Sequence, residues 1–203
     1  MDRETYLGVS NMQFRLTYDG RLPSHGKNNK GRQIPELKHQ IRRQLHPQLA
    51  ELWGRKPLPI VRARYGERMQ RVCGSFTFLP LVSDHLKLLC NLHILFMRNE
   101  KPGSLFSKPQ NEYGGDLDNR LKLFLDALSV PREPGELKDI VPQDGELPFY
   151  CLLDDDSLVT DFRVEADTLL GNEKTDGPDK VRLIVQVTMK AAIVVDSNLA
   201  LIS

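Results

Sequence analysis

Several things are scarce in these 203 residues, and each scarcity excludes a class of protein. Cysteine occurs three times, at Cys73, Cys90 and Cys151, with no C-x-x-C spacing. That rules against a disulfide frame or a zinc site and predicts reduced, buried thiols of a cytoplasmic protein. No run of eighteen apolar residues exists, so no membrane span is expected. The first residues, Met1 to Tyr6, mix acidic and basic side chains without an apolar stretch and do not read as a secretory signal. There is no P-loop, no G-x-G-x-x-G, no G-x-S-x-G and no internal repeat. What remains, 40% hydrophobic and 27% charged residues, is the composition of an ordinary globular domain able to bury a core.

Net charge is also scarce, at +1, but it conceals an asymmetry. Residues 27–71 hold twelve Lys or Arg against three acids, and residues 112–176 hold seventeen acids against six Lys or Arg. The split suits a basic surface that holds phosphates beside an acidic pocket that holds metal ions. It equally suits two solvated faces.

Along the chain, residues 1–11 form a lead-in without periodicity. Phe14, Leu16 and Tyr18 alternate in a strand that Asp19-Gly20 should end as a turn. A basic loop over 21–32 follows. Ile34, Leu37, Ile41, Leu45, Leu49 and Leu52 then make a helical stripe, which Pro47 should kink or split near His46. Residues 54–74 read as an irregular basic connection. Strands are expected over 75–79 and 86–97, the second with Cys90, Leu92, Ile94 and Phe96 on one face. A long loop spans 98–115, a helix 118–130 and a surface insertion 131–150. Two more strands, 158–165 and 181–189, precede an unassigned tail at 191–203. This order predicts a single α/β (α+β) domain over 12–190, with two main helices packed on one mixed sheet.

The chemistry concentrates in two acidic stretches. The first is Gly114-Gly115-Asp116-Leu117-Asp118-Asn119-Arg120-Leu121-Lys122, and the second is Asp154-Asp155-Asp156. On a helix, Leu117, Leu121, Phe124, Leu125 and Leu128 share one side, while Asp118, Lys122 and Asp126 form a stripe four residues apart on another. Asp118 and Asn119 taken alone are a helix cap. Taken with three mutually repelling aspartates at the mouth of a strand, they make half of a divided metal site. Aspartate oxygens without His or Cys favour Mg²⁺ or Mn²⁺. An EF-hand is excluded, because the sixth position counted from Asp116 is Leu121 and not glycine. Carboxylate-held metals suit phosphoryl transfer, and Lys122 would add a fixed positive charge near the phosphate.

Asp116-Leu117-Asp118-Asn119-x-x-Lys122, continued by Asp126-Ala127-Leu128, and Asp155-Asp156-x-x-Val159-x-Asp161-Phe162-Arg163-Val164 resemble the RusA-type Holliday-junction resolvases. The resemblance is specific over 116–129 and 154–165 and only topological elsewhere. It implies a homodimeric, Mg²⁺-dependent endonuclease (Mn²⁺ as substitute) that nicks four-way DNA junctions symmetrically. By it, Asp116, Asp118 and Asp156 would be metal-binding carboxylates with Asp155 nearby, and Lys122 the functional lysine. Residues 129–153 are longer than the family's counterpart. Lys27, Lys30 and Arg32 in the first loop, and Arg98, Lys101 and Lys108 in the second, are the expected DNA contacts. Two alternatives stand beside this reading: a non-catalytic branched-DNA-binding protein on the same fold, and another Asp-x-Asp metal-dependent phosphotransfer enzyme.

Overall fold

A computed structural model describes residues 12–23, 33–99, 117–170 and 179–202. In chain order the elements are β1 (Gln13–Arg21), α1 (Gln33–Trp53), α2 (Leu58–Met69), β2 (Arg71–Cys73), β3 (Phe76–Val82), β4 (Leu88–Arg98), α3 (Leu117–Leu128), β5 (Phe149–Leu153), β6 (Val159–Thr168), β7 (Lys180–Ala191) and α4 (Leu199–Ile202). The class is α+β, as expected. The strands form two sheets rather than one, a four-stranded β1-β7-β4-β6 and a three-stranded β2-β3-β5.

The larger sheet is built from strands whose alternation is strict. In β4 every even-numbered residue from Leu88 to Arg98 is buried, and in β7 Val181, Leu183, Val185, Val187 and Met189 are buried. Directly paired residues share a face, so the register stacks them into rows. One row runs Leu16–Val185–Ile94–Val164 and the next Tyr18–Leu183–Phe96–Ala166. The β1–β7 and β7–β4 pairs are antiparallel, and β4–β6 is parallel. Asp19-Gly20 does not end β1. The strand continues to Arg21, because Lys180 and Arg182 across the pair hold Asp19 at 3.1 and 2.6 Å.

In the smaller sheet the parallel pair β3–β5 is buried on both faces, so these two strands carry no alternation to read. All five residues of β5 are buried, and β3 runs through Pro80. β5 therefore escaped the sequence reading, and β3 was cut short. Leu137, on a 3-10 turn at Pro134–Leu137, joins Cys73, Phe76, Phe78, Phe149 and Cys151 in a second small core. The segment 131–150 is thus a cover over this core and not simply a surface insertion. All three thiols are free and buried, and burial pushes that of Cys90 up to about 12.

Helix α1 passes through Pro47 without splitting, and Ile41, Leu45, Leu49 and Leu52 anchor it on both sides of the proline. Helix α2 occupies the region read as irregular. Leu58, Val61, Tyr65 and Met69 give it an apolar stripe that four intervening basic or acidic residues obscured. In the tail, Asn198 is fully buried and donates to the carbonyls of Leu86 and Ile193, which pins α4 against the start of β4.

His39 on α1 is packed against Phe76 and Phe149, and neither ring nitrogen has a hydrogen-bond partner. Burial, reinforced by Arg43 and Arg42 and opposed by Glu146, lowers its pKa to about 4. The imidazole is neutral when folded and takes a proton more readily when unfolded. It therefore contributes a loss of stability as pH falls from about 6.5 towards 4. Replacing it by leucine should flatten that slope by about 2 kcal/mol. Urea unfolding of wild type and His39→Leu at pH 7 and pH 4.5 measures it, and equal slopes would refute it.

Candidate active site

The acidic turn occupies the seam between the two sheets. β3 leaves the smaller sheet for β4 in the larger, and β5 leaves it for β6 at the same edge, where Asp154 N donates to Val82 O at 2.9 Å. Helix α3 joins the seam through its end. Ser129 bridges to Leu153, and Val130 N donates to Leu153 O at 3.0 Å. Two motif blocks distant in sequence are thereby brought to one place by backbone pairing alone.

Helix α3 buries Leu117, Leu121, Phe124 and Leu128, as its periodicity predicts, leaves Leu125 half-buried, and also buries Leu123, Ala127 and Arg120. Arg120 donates to Leu22 O and pairs with Asp179 at 3.2 Å, tying the first half of α3 to the end of β1 and the start of β7. Its spacing of four from Phe124 and Leu128 was the sequence signal for its inward position. Asp118 is exposed in the first helical turn, where a carboxylate suits the positive end of the helix dipole. Lys122 is exposed one turn later, and no ion pair joins the two.

Beside α3 lies a cleft of about 320 Å³, lined by Lys38 and Arg42 from α1, Lys122, Asp126 and Ser129 from α3 and its end, Val130, Arg132 and Glu136 beyond it, and Asp156 from the acidic turn. Of the expected site residues, Lys122 and Asp156 share this wall, while Asp118 and Asp155 are not among its lining residues. Lys38, Arg42, Arg132 and Glu136 were not anticipated. Lys38 and Arg42 lie four apart on α1, a spacing that puts both on one helix face and was visible in the sequence. A larger cavity of about 490 Å³ lies between β1 and the start of α1, lined by residues such as Tyr18, Arg21, Ile34 and Gln40, and holds none of the motif residues.

Arg42 forms the floor of the cleft. Its side chain is almost wholly buried. It donates from Nε to Ser129 O at 3.3 Å and from Nη2 to Asp126 O at 3.0 Å, and it pairs with Glu136 at 3.4 Å. The last carbonyls of a helix lack partners within the helix, and this guanidinium supplies them. Lys38 holds the Asp126 carboxylate at 2.8 Å and approaches Glu136 at 3.8 Å.

Each aspartate of the turn has a polar partner. Arg71 holds Asp154 at 2.8 Å. Asp155 caps a 3-10 turn at Asp156–Leu158 by accepting from Ser157 N at 2.9 Å. The hydrogen bond from Ser157, with help from Arg132, holds the Asp155 carboxyl below its ordinary pKa. Arg132 reaches Asp155 at 3.3 Å and Asp156 at 2.6 Å. The repulsion among the three carboxylates, expected to call for a dication, is thus met in the structure by two arginines.

Of the other expected site residues, Asp116, Lys27, Lys30, Arg32, Lys101 and Lys108 lie outside the described residues. Arg98 does not sit on a loop. It is the last residue of β4, and the alternation that buries Phe96 buries it too, at 2% exposure, which withdraws it from the phosphate-contacting set. Among the described residues, no three carboxylate, imidazole or thiolate side chains are grouped so as to hold a metal ion. The donor chemistry nevertheless fits a hard dication. Mg²⁺ keeps most of its waters and takes one or two carboxylates, and Asp155 and Asp156 already share one cation. No helix among the described residues is long and apolar enough to cross a membrane. Comparisons with protein-family models, with curated proteins and with solved structures find no match for the chain.

Replacing Arg42 by alanine would remove the donor from the buried Ser129 carbonyl and the part-buried Asp126 carbonyl and one of the cations on Glu136. A loss of about 3 kcal/mol in unfolding free energy is expected in urea denaturation. A change below about 1 kcal/mol would show that the floor of the cleft is held by other means.

Proposed function

We propose that the chain is a metal-dependent endodeoxyribonuclease of the RusA type, acting in the cytoplasm as a homodimer on four-way DNA junctions. The observation that carries the reading is the common wall of Lys122 and Asp156. These residues belong to the two separate motif blocks, yet both line one cleft. Basic side chains from α1, α3 and the segment after it converge there, as a site for a phosphodiester requires.

In this reading Asp118, Asp155 and Asp156, with Asp116, would hold Mg²⁺ or Mn²⁺ through hard carboxylate oxygens. The metal, when bound, would supply activation of the attacking water and neutralisation of charge at the leaving oxygen. The remaining work falls to the protein. Lys122, which forms no ion pair among the described residues, is available to a non-bridging phosphate oxygen as negative charge builds on it. Lys38 fixes Asp126 beside it, and Arg42 keeps the end of α3 against the acidic turn. Because a junction is recognised by shape, no base-reading element is needed.

One observation favours a second reading. The aspartates of the turn are already neutralised by Arg71 and Arg132, which a protein that binds branched DNA without cutting it could retain permanently.

A labelled four-way junction incubated with Mg²⁺ or Mn²⁺ separates the two. Paired nicks are expected from the wild type, and Asp118→Asn and Asp156→Asn should lower the nicking rate at least a hundredfold while junction binding in Ca²⁺ persists. Binding without incision by the wild type in either metal would select the second reading.

A further inference from the structure

Arg132 is the only cation among the described residues that contacts two carboxylates of the acidic turn, and it also lines the cleft. Its backbone is fixed while its arm is not. Arg132 N donates to Glu136 Oε1 at 3.1 Å, and Glu136 is itself held by Arg42 and Lys38. The Arg132 side chain is 69% exposed, and those of Asp155 and Asp156 are 46% and 45% exposed. Arg71 makes a different kind of pair, since its partner Asp154 is only 15% exposed and is secured through its backbone to Val82.

Exposed ion pairs contribute little to stability, so Arg132 can let go at small cost. Two neighbouring carboxylates left without a cation repel each other, so something positive must remain on them. Arg132 occupies Asp155 Oδ2 and Asp156 Oδ1, so a dication that bridges the two carboxylates through these oxygens competes with the guanidinium. We infer that Arg132 is an exchangeable counterion of the site. It neutralises Asp155 and Asp156 while the metal is absent, and it gives them up when a divalent cation takes their oxygens. Its guanidinium then turns into the cleft to hold a phosphate oxygen of the DNA. The inference rests on the metal-dependent reading above and adds a step to it, a positive charge handed from carboxylate to phosphate as the site loads.

Mn²⁺ binding followed by electron paramagnetic resonance, without DNA or turnover, tests it on wild type, Arg132→Gln, Arg132→Lys and Asp156→Asn. Arg132→Gln removes a competitor and should bind Mn²⁺ about fivefold more tightly than wild type, with Arg132→Lys close to wild type. Asp156→Asn should bind it more weakly. In Ca²⁺, Arg132→Gln should bind a four-way junction several-fold more weakly, with a salt slope smaller by about one. Mn²⁺ affinity of Arg132→Gln equal to or below that of wild type, in a protein whose Asp156→Asn variant loses metal, would overturn the exchange and leave the nuclease reading standing. A wild type that takes up no Mn²⁺ would overturn both.

Discussion

Arg42 joins three parts of the molecule that the chain itself leaves apart. One guanidinium, buried on α1, takes the carbonyls of Asp126 and Ser129 at the end of α3 and the carboxylate of Glu136 beyond it. Burial works against its charge, and Glu136 works for it. A buried arginine is tolerable only when its charge is compensated, and here Nε and Nη2 are bonded while the buried Nη1 has no partner, so Glu136 and the two carbonyls carry the compensation. Because Ser129 is also bridged to Leu153, the same contacts fix where β5 ends and where the acidic turn begins. The position of Asp156 relative to Lys122 follows from this clamp.

The two sheets give the turn its setting. Neither sheet alone would place carboxylates beside a helix face. The chain crosses from the smaller sheet to the larger twice, after β3 and after β5, and the crossings are joined by the bond from Asp154 to Val82. A turn at such a seam has one side open to the cleft and the other tied to the core. That explains how Asp154 can be structural while Asp155 and Asp156, its immediate neighbours, stay exposed enough to bind something else.

Legibility in the sequence followed exposure of one face. β4, β7, α1 and α3 each have one wet side, so periodicity revealed them, and Lys122 and Asp156, from separate motif blocks, line one cleft. β5 is buried on both faces and shows no period, and α2 hides a four-residue stripe among arginines. Pro47 misled because a proline costs a helix one hydrogen bond and some strain, and the apolar anchors at Ile41, Leu45, Leu49 and Leu52 outweigh that. Arg42, Arg98 and Arg120 were missed as core residues because composition counts arginine as surface, although the periodicity of α3 and β4 placed Arg120 and Arg98 on buried faces. The burial of Arg42 and Arg120 depends on carbonyl and carboxylate partners that only the folded chain assembles.

The charge asymmetry of the sequence takes on a different meaning in the folded state. Read linearly, a basic half and an acidic half suggested separate surfaces for DNA and for metal. In the fold the basic α1 and the acidic segment 126–156 face each other across one cleft, where four cations (Lys38, Arg42, Lys122, Arg132) meet three carboxylates (Asp126, Glu136, Asp156). A cleft with cations and carboxylates interleaved repels neither a phosphodiester nor a metal ion outright. It can therefore accept both only by rearranging its own pairs. The pairs formed by buried partners, Arg42 with Glu136 above all, cannot rearrange without loss of the helix end they support. The exposed pair of Arg132 with Asp155 and Asp156 can, so the capacity to rearrange is concentrated at the carboxylates of the acidic turn.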